Sequence, residues 1–263
     1  MIERLAAIQF DKQAGTGRTM PGFVVAEDAL GDDIELIAKL SAKCDRAATS
    51  LAMELLCACL AGDLGLPIPQ PYIVDLSSEW IESIADPAWA EAARQSIPVA
   101  FGSRRAPAGF GQWITGTTMV EPLTSRAAAV LLFDAVTDNP DRRRENPNCL
   151  QRGDEIRIID HELCFGPLLI GWQPPWQIGA LHHMATPGIH IFRDALRGRD
   201  IEWASIIQPW KNLSDETISD YEAALPAEWA TAGPFVQSAV EKIKNARDHI
   251  DECAIEVQRV LKC

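Results

Sequence analysis

The sequence of 263 residues has no apolar run close to the roughly 20 residues that a membrane-spanning helix needs. Its first residues, MIERL, also lack the apolar core of a secretory signal peptide. We therefore expect a cytoplasmic protein that acts away from membranes. Positive charge is scarce, because 24 Lys and Arg residues stand against 37 Asp and Glu residues, a formal net charge of −13. Since nucleic-acid binding needs clustered cations, this balance argues against an extended nucleic-acid-binding surface, and it disfavours anionic lipid surfaces.

The cysteines provide no framework for the fold. Seven is an odd number, and a chain without an export signal seldom relies on disulfides. Neither Cys57 and Cys59 nor His182 and His183 have the spacing of a zinc-binding set. The apolar and charged fractions, 47% and 23%, are those of an ordinary globular protein. At this length we expect one large domain or two lobes that share a cleft.

The first part of the chain predicts short strands around one long helix. The predicted strands cover residues 6–10, 23–27, 34–40, 72–76 and 98–101. Apolar spacing predicts a helix over residues 49–64, followed by a stop at Gly65. Lys39 closes a mostly apolar strand, and Glu54 lies one turn into the helix between apolar neighbours.

Residues 102–111 are predicted to form an irregular linker, and we place the boundary between two domains there. The N-lobe then comprises residues 1–105, and the C-lobe comprises residues 106–263. The end of the chain, residues 235–261, has the apolar spacing of a single amphipathic helix.

The central stretch, residues 131–165, carries the strongest chemical pattern. An apolar helical run leads into the polar loop of residues 139–146, and a strand hairpin then ends on Asp160. Two acids and an amide are thus presented by loops at the ends of apolar elements. Such an arrangement is suited to holding a divalent metal and a phosphate. The run of Arg142, Arg143 and Arg144 in this loop either binds an acidic acceptor or a phosphate, or consists of solvated loop charges.

A kinase site needs a strand lysine for the phosphates, a helix glutamate to hold it, a base-like Asp, and an amide and an acid for metal. The chain has these types in that order: Lys39, Glu54, Asp141, Asn146 and Asp160. Asp141 and Asn146 are separated by the interval found in the protein-kinase catalytic loop. Taken singly, each has a structural explanation, as a solvated lysine, a surface glutamate, turn-formers or a cap. The full ordered set favours a phosphotransfer site.

The segment FDAVTDNPDRRRENPNCL, followed by IRIIDHELCF, resembles the HipA-like kinases, distant relatives of the protein and phosphatidylinositol kinases. The run LIAKLSAKCDRAATSLAMELLCACLAGDLGLPIP is similar to the lysine strand, glutamate helix and L-G-L-P exit of that family. The likeness covers roughly residues 15–165. It implies an α+β, two-lobed, protein-kinase-like fold with a small β-rich N-lobe and a mainly helical C-lobe.

The resemblance also implies roles for the site residues. Lys39 would contact the phosphates of ATP, and Glu54 would pair with Lys39. Asp141 would be the catalytic base, while Asn146 and Asp160 would hold Mg²⁺. The sequence departs from protein kinases at two places, because Asn139 replaces their histidine and Asp160 is followed by His-Glu instead of Phe-Gly.

A glycine loop precedes the second predicted strand. By resemblance, Gly15 and Gly17 would contact ATP, and Thr16 or Thr19 would be an autophosphorylation site, although an ordinary turn threonine is the simpler interpretation. The full HipA toxins carry a further N-terminal subdomain, and we expect this chain to lack it.

The resemblance implies an ATP- and Mg²⁺-dependent serine/threonine kinase with a protein substrate, and a toxin of a toxin–antitoxin pair with an antitoxin or regulatory protein as partner. One alternative is a small-molecule or phosphatidylinositol-type kinase. Another is a nucleotide-binding pseudokinase or interaction module. The intact set of site residues disfavours the pseudokinase, since a decayed site would have lost a member.

Overall fold

The computed structural model describes residues 2–15, 19–166 and 173–263. Two compact units make up the chain. The first consists of Met1–Cys59, Pro69–Ala106 and Asp220–Gln237, and the second of Leu60–Ile68, Pro107–Ser219 and Ser238–Cys263. Among the described residues, no helix is both long and apolar enough to cross a bilayer.

A small closed barrel forms the centre of the first unit. Its strands, counted over the described residues, are β1 (Arg4–Gln13), β2 (Gly22–Glu27), β3 (Asp33–Lys39), β4 (Pro71–Asp75) and β5 (Val99–Arg104). They lie in the order β1-β2-β3-β5-β4, and a parallel pairing of β4 with β1 closes the barrel. Alternate side chains point inward, because successive residues of a strand face opposite sides. The inward set includes Leu5, Val24, Leu36, Val74 and Ala100.

Three helices and a turn belong to the same region of the chain. They are α1 (Ala48–Asp63), α2 (Ser78–Ser83), α3 (Pro87–Arg94) and a short 3-10 turn at Ser41–Lys43. The five predicted strands and the predicted long helix, α1, are confirmed, with β1 and β5 longer than expected. The predicted linker accordingly begins within β5, which extends to Arg104.

The side chain of Trp89, on α3, supports the loop between β1 and β2. Asp86 caps α3 by accepting hydrogen bonds from the backbone N–H groups of Ala88 and Trp89. The Trp89 indole stacks on Phe10 with ring centroids 4.4 Å apart, and its Nε1 donates to the carbonyl of Met20 at 3.1 Å. The base of the glycine loop is therefore fixed to packed side chains.

The second unit is mainly helical around a small sheet. Helix α4 (Leu123–Val136) is buried over most of its length. The sheet consists of β6 (Gly111–Gln112), β7 (Cys149–Arg152) and β8 (Glu155–Ile158) in that order. The predicted hairpin of β7 and β8 is confirmed, with its turn at Gly153 and Asp154. The later helices are α5 (Arg193–Leu196), α6 (Trp203–Lys211), α7 (Asp215–Ala223), α8 (Gly233–Asp248) and α9 (Ile250–Lys262).

The prediction of one C-terminal helix is wrong, because the helix is interrupted at His249. This residue has φ −120° and ψ 27° and separates α8 from α9. The apolar spacing continues through the break, which is why periodicity alone missed it. Charge placement is the better signal: Arg247 lies in the last turn of α8, and Asp251 and Glu252 lie in the first turn of α9, as the helix dipole favours.

Candidate functional site

Lys39 and Glu54 form an ion pair in the interior of the first unit. Lys39 ends β3, where it pairs with Phe101 of β5, and Glu54 lies on α1. The Lys39 Nζ contacts Oε1 of Glu54, and the two side chains are only 9% and 3% exposed. Charged side chains this deep are rarely found unless paired. The interpretation of Lys39 as a solvated lysine and Glu54 as a surface residue is therefore wrong.

Of the two candidate glycines in the loop after β1, the structure describes Gly15. Its backbone has φ +76°, the left-handed conformation that glycine adopts without a steric penalty, and its carbonyl accepts a hydrogen bond from Nε2 of Gln13 at 3.1 Å. Gly17 and Thr16 lie outside the described residues. The proposed contacts of both glycines with ATP stay predictions.

The polar loop of residues 139–146 brings Asp141 and Asn146 together. The Nδ2 of Asn146 donates to Oδ2 of Asp141 at 2.7 Å, and the Nδ2 of Asn148 donates to the same oxygen at 3.1 Å. The Asp141 N–H donates to Oδ1 of Asn139 at 3.1 Å. Because a carboxylate accepts only, the amide nitrogen of Asn146 must face Asp141. The amide oxygen of Asn146 is thereby left on the other side, as a possible metal ligand.

Asp160 lies just past β8 in an unusual backbone conformation. Its φ is +62°, which is uncommon for a residue other than glycine. Its neighbour Ile159 donates from its backbone N–H to the carbonyl of Asn148 at 3.0 Å, which ties this segment to the residues that follow the polar loop. The carboxylate oxygens of Asp160 and the buried Glu162 approach within 4.8 Å. Hard cations such as Mg²⁺ prefer oxygen ligands of this kind.

Arg142 is not a surface charge. Its guanidinium is fully buried and donates from Nε to Oδ2 of Asp134, on α4, at 2.6 Å. It also donates to the backbone carbonyls of Asn148 and of Ile159, the latter at 3.2 Å, and to Nε2 of His161 at 3.0 Å. The prediction that Arg142 either binds an acceptor or is solvated is therefore wrong.

The carboxylate of Asp134 accepts hydrogen bonds from three side chains outside its own helix. Its carboxylate accepts from Arg142, from Nδ2 of Asn139 at 2.8 Å and from Nε2 of His190 at 2.9 Å. Burial alone would raise the pKa of Asp134, but Arg142 and His190 hold that pKa well below its ordinary value. Asp134 is therefore ionised, and Arg142 faces a full negative charge.

The sequence reasoning missed a group of four buried polar residues: Asp134, Arg142, His161 and His190. One signal was present, since Asp134 interrupts the apolar run LLFDAV of a buried helix. A charged residue at such a position is rarely fully buried without a partner. The identity of that partner, eight residues further along, depends on the three-dimensional path of the loop.

Arg143 and Arg144 differ from Arg142 in being solvent-exposed. Their side chains are 52% and 55% exposed. Arg143 lies 3.6 Å from Oδ1 of Asp141, and Arg144 lies 3.6 Å from Oδ2 of Asp194. One exposed guanidinium, that of Arg143, therefore lies beside the candidate catalytic carboxylate, and that of Arg144 lies beside Asp194.

The model of the HipA-like kinase family matches residues 32–256. The chain belongs to the HipA-like kinase family. The match covers most of the chain and extends well beyond the segments that carried the resemblance in the sequence. Membership in a kinase family supports phosphate transfer as the chemistry of this HipA-like protein. None of the curated proteins compared with it matches.

The fold of this HipA-like kinase is similar to that of a solved enzyme, a Helicobacter pylori proinflammatory kinase, CtkA. The similarity covers 98% of this chain and 99% of that chain, with a TM-score of 0.56 and 11% sequence identity. At this identity the likeness concerns the fold alone. It supports the expected mixed α+β architecture of a kinase.

Proposed function

We propose that this HipA-like protein is an ATP- and Mg²⁺-dependent kinase that transfers the γ-phosphoryl group of ATP to a Ser or Thr hydroxyl of a protein. In this proposal the barrel unit corresponds to the N-lobe of a protein-kinase-like fold, and the helical unit to the C-lobe. The observation that carries the proposal is the environment of Asp141, in a chain that belongs to a kinase family. Two amides hold one of its carboxylate oxygens.

The other oxygen of Asp141 is suited to act as a base. Among the described residues, no hydrogen bond uses Oδ1, and the guanidinium of Arg143 lies 3.6 Å from it. A carboxylate so oriented can accept the proton of an incoming hydroxyl as its oxygen bonds to the γ-phosphorus and the bond to ADP breaks. Asn146 and Asn148 would keep the carboxylate from rotating.

The remaining residues fit the charge that the reaction must neutralise. Negative charge spreads over the oxygens of the transferring phosphoryl group, so fixed positive charge nearby lowers the barrier. Lys39 would supply it to the phosphates, and Glu54 holds the lysine in place. Asn146 and Asp160 offer oxygen ligands and would hold Mg²⁺, with Glu162 close to Asp160. When bound, the metal would neutralise phosphate charge.

The acceptor in this proposal is a protein, and the exposed Arg143 suggests its local chemistry. An acceptor hydroxyl that approaches Asp141 also approaches Arg143, whose guanidinium lies 3.6 Å from Oδ1 of Asp141. Acidic groups next to that hydroxyl would therefore be favoured. We also propose that the kinase acts as a toxin, with an antitoxin or regulatory protein as its partner.

Phosphate transfer can be tested with γ-labelled ATP and Mg²⁺. Wild-type protein is expected to label itself or an added protein extract, whereas Asp141→Asn is expected to lower the rate by about 10²–10⁴-fold. Asp160→Asn should lose transfer while the fold is kept. Asp154→Asn, in the exposed turn of the β7–β8 hairpin, is the matched control.

The distribution of the label separates the proposal from its alternatives. Label on phosphatidylinositol vesicles and not on protein would indicate a lipid kinase. Nucleotide binding without label on any acceptor would indicate a pseudokinase. An Asp141→Asn variant that transfers phosphate at the wild-type rate would show that another group is the base.

A further inference from the structure

We infer that Arg142 is a positioning residue that holds the catalytic loop and the Asp160 segment together in the geometry for phosphate transfer. The inference rests on the proposed function of Asp141 and Asp160. It concerns the guanidinium group itself, not only its positive charge.

The hydrogen-bonding capacity of Arg142 is fully used. A guanidinium has five N–H donors in a fixed planar arrangement. Arg142 makes five contacts: two with the carboxylate of Asp134, two with backbone carbonyls and one with His161. A lysine has three donors on a flexible stem and cannot reproduce this set. The residue type is therefore specified by the number and direction of the acceptors around it.

These acceptors lie next to both proposed site residues, Asp141 and Asp160. The carbonyl of Asn148 belongs to the residue whose side chain donates to Asp141, and the carbonyl of Ile159 immediately precedes Asp160. The His161 ring, on the other side of Asp160, accepts from the same guanidinium. Arg142 thus contacts the backbone of the residue before Asp160 and the side chain of the residue after it, and the left-handed φ of Asp160 needs such support from its surroundings.

Asp134 fixes Arg142 in turn and connects it to two further segments. The Asp134 carboxylate accepts from Asn139, whose Oδ1 accepts from the backbone N–H of Asp141. It also accepts from His190, and the backbone N–H of Ile191 donates to the carbonyl of Arg142 at 3.1 Å. The guanidinium is therefore held at one end by an ionised side chain of a helix, while its other end holds the loops.

A structural role alone would make a different prediction from a positioning role. A buried ion pair is often replaceable by neutral side chains without loss of stability, provided that both charges are removed together. If Arg142 served only to neutralise Asp134, a doubly neutral variant would recover both stability and activity. If Arg142 positions the site, such a variant recovers stability and remains slow.

The first experiment compares Arg142→Lys with wild type and with Arg152→Lys, a control at an exposed ion pair of the β7–β8 hairpin. Residues that orient metal ligands typically change metal affinity or activity by about 10–100-fold when altered. We expect Arg142→Lys to lower kcat by about this factor, with little change in the KM for ATP. The Mg²⁺ concentration that half-maximally stabilises the ATP-bound protein against heat is expected to rise. Wild-type values of kcat and Mg²⁺ midpoint in Arg142→Lys would overturn the inference.

The second experiment combines Asp134→Asn with Arg142→Met and measures both the urea midpoint and kcat. We expect the double variant to regain stability relative to each single variant and to stay at least about 10-fold below wild type in kcat. Recovery of kcat together with stability would overturn the inference. If the double variant does not fold, Arg142→Lys, which keeps the charge opposite Asp134, decides alone.

The two proposals fail in distinguishable ways. Wild-type protein that transfers no phosphate would refute the proposed function. The Mg²⁺ midpoint of Arg142→Lys would still test whether Arg142 orients the metal ligands, because this readout requires binding and no turnover. If wild-type protein is active and Arg142→Lys is equally active, only the positioning role is refuted.

Discussion

Asp134→Asn gives the most direct measure of how much the buried charge pair contributes to stability. The substitution keeps the size of the side chain and removes its negative charge. It also replaces one carboxylate oxygen by an amide nitrogen, which cannot accept a hydrogen bond. At least one of the donors of Arg142, Asn139 and His190 then faces another donor. The guanidinium of Arg142 remains charged and fully buried.

The magnitude follows from the burial of both partners. Removal of one member of a buried ion pair costs about 3–5 kcal/mol, because the other charge is left uncompensated. The free energy of unfolding of an ordinary domain is about 5–15 kcal/mol. Asp134→Asn is therefore expected to remain folded at 25 °C with a large part of its stability lost. Removal of one member of an exposed ion pair would lower the free energy of unfolding by only about 0–1 kcal/mol.

Urea unfolding at pH 7, followed by tryptophan fluorescence and by circular dichroism, measures this loss. Agreement between the two signals tests whether the transition is two-state. Asp154→Asn is the control for the exchange of an exposed acid for an amide, and a change within about 0.5 kcal/mol is expected for it. A loss below about 1 kcal/mol for Asp134→Asn would refute the reasoning, since water or a shifted side chain would then be compensating Arg142.

Three further predictions concern pH, Gly22 and Lys39. The folded-state pKa of Asp134 is lowered, so its contribution to stability is present above the unfolded-state pKa of about 4 and is lost as pH falls below that value. Asp134→Asn should therefore take up about one proton fewer than wild type when it unfolds in acid. Gly22→Ala would place a methyl group 2.8 Å from the Trp89 ring and should cost about 1–3 kcal/mol in urea unfolding, whereas Gly62→Ala, with open space around it, should not destabilise. Lys39→Met is expected to lower kcat by about 10²–10³-fold, and a rate within twofold of wild type would refute its contact with the phosphates.

Much of the first unit is predictable from local sequence. The alternation of apolar side chains and the acidic turn at residues 31–33 are local signals, and they lead to β2, β3 and the hairpin between them. The pairing of Lys39 with Glu54 is not local, since the two residues lie on different elements. It was reachable only because a kinase site requires both residue types in that order.

The polar network around Arg142 was beyond sequence reasoning for a physical reason. A run of three arginines is usually solvated, because burying a guanidinium requires acceptors for its donors. Those acceptors come from a helix that precedes the loop and from a strand end that follows it. No spacing rule connects Asp134, Arg142 and Ile159, so only the folded path of the chain brings them together.

The three adjacent arginines therefore have separable roles, although their sequence makes them equivalent. Arg142 has no exposed side-chain surface, while Arg143 and Arg144 expose more than half of theirs. A change at Arg142 alters the loops that hold Asp141 and Asp160, and it should slow transfer to every acceptor by the same factor. A change at Arg143 removes an exposed charge next to Asp141, so it should lower transfer to acidic acceptors more than to neutral ones. Comparison of one acidic and one neutral peptide acceptor therefore distinguishes loss of geometry from loss of recognition. An equal loss for both peptides in Arg143→Gln would show that Arg143 does not recognise the acceptor.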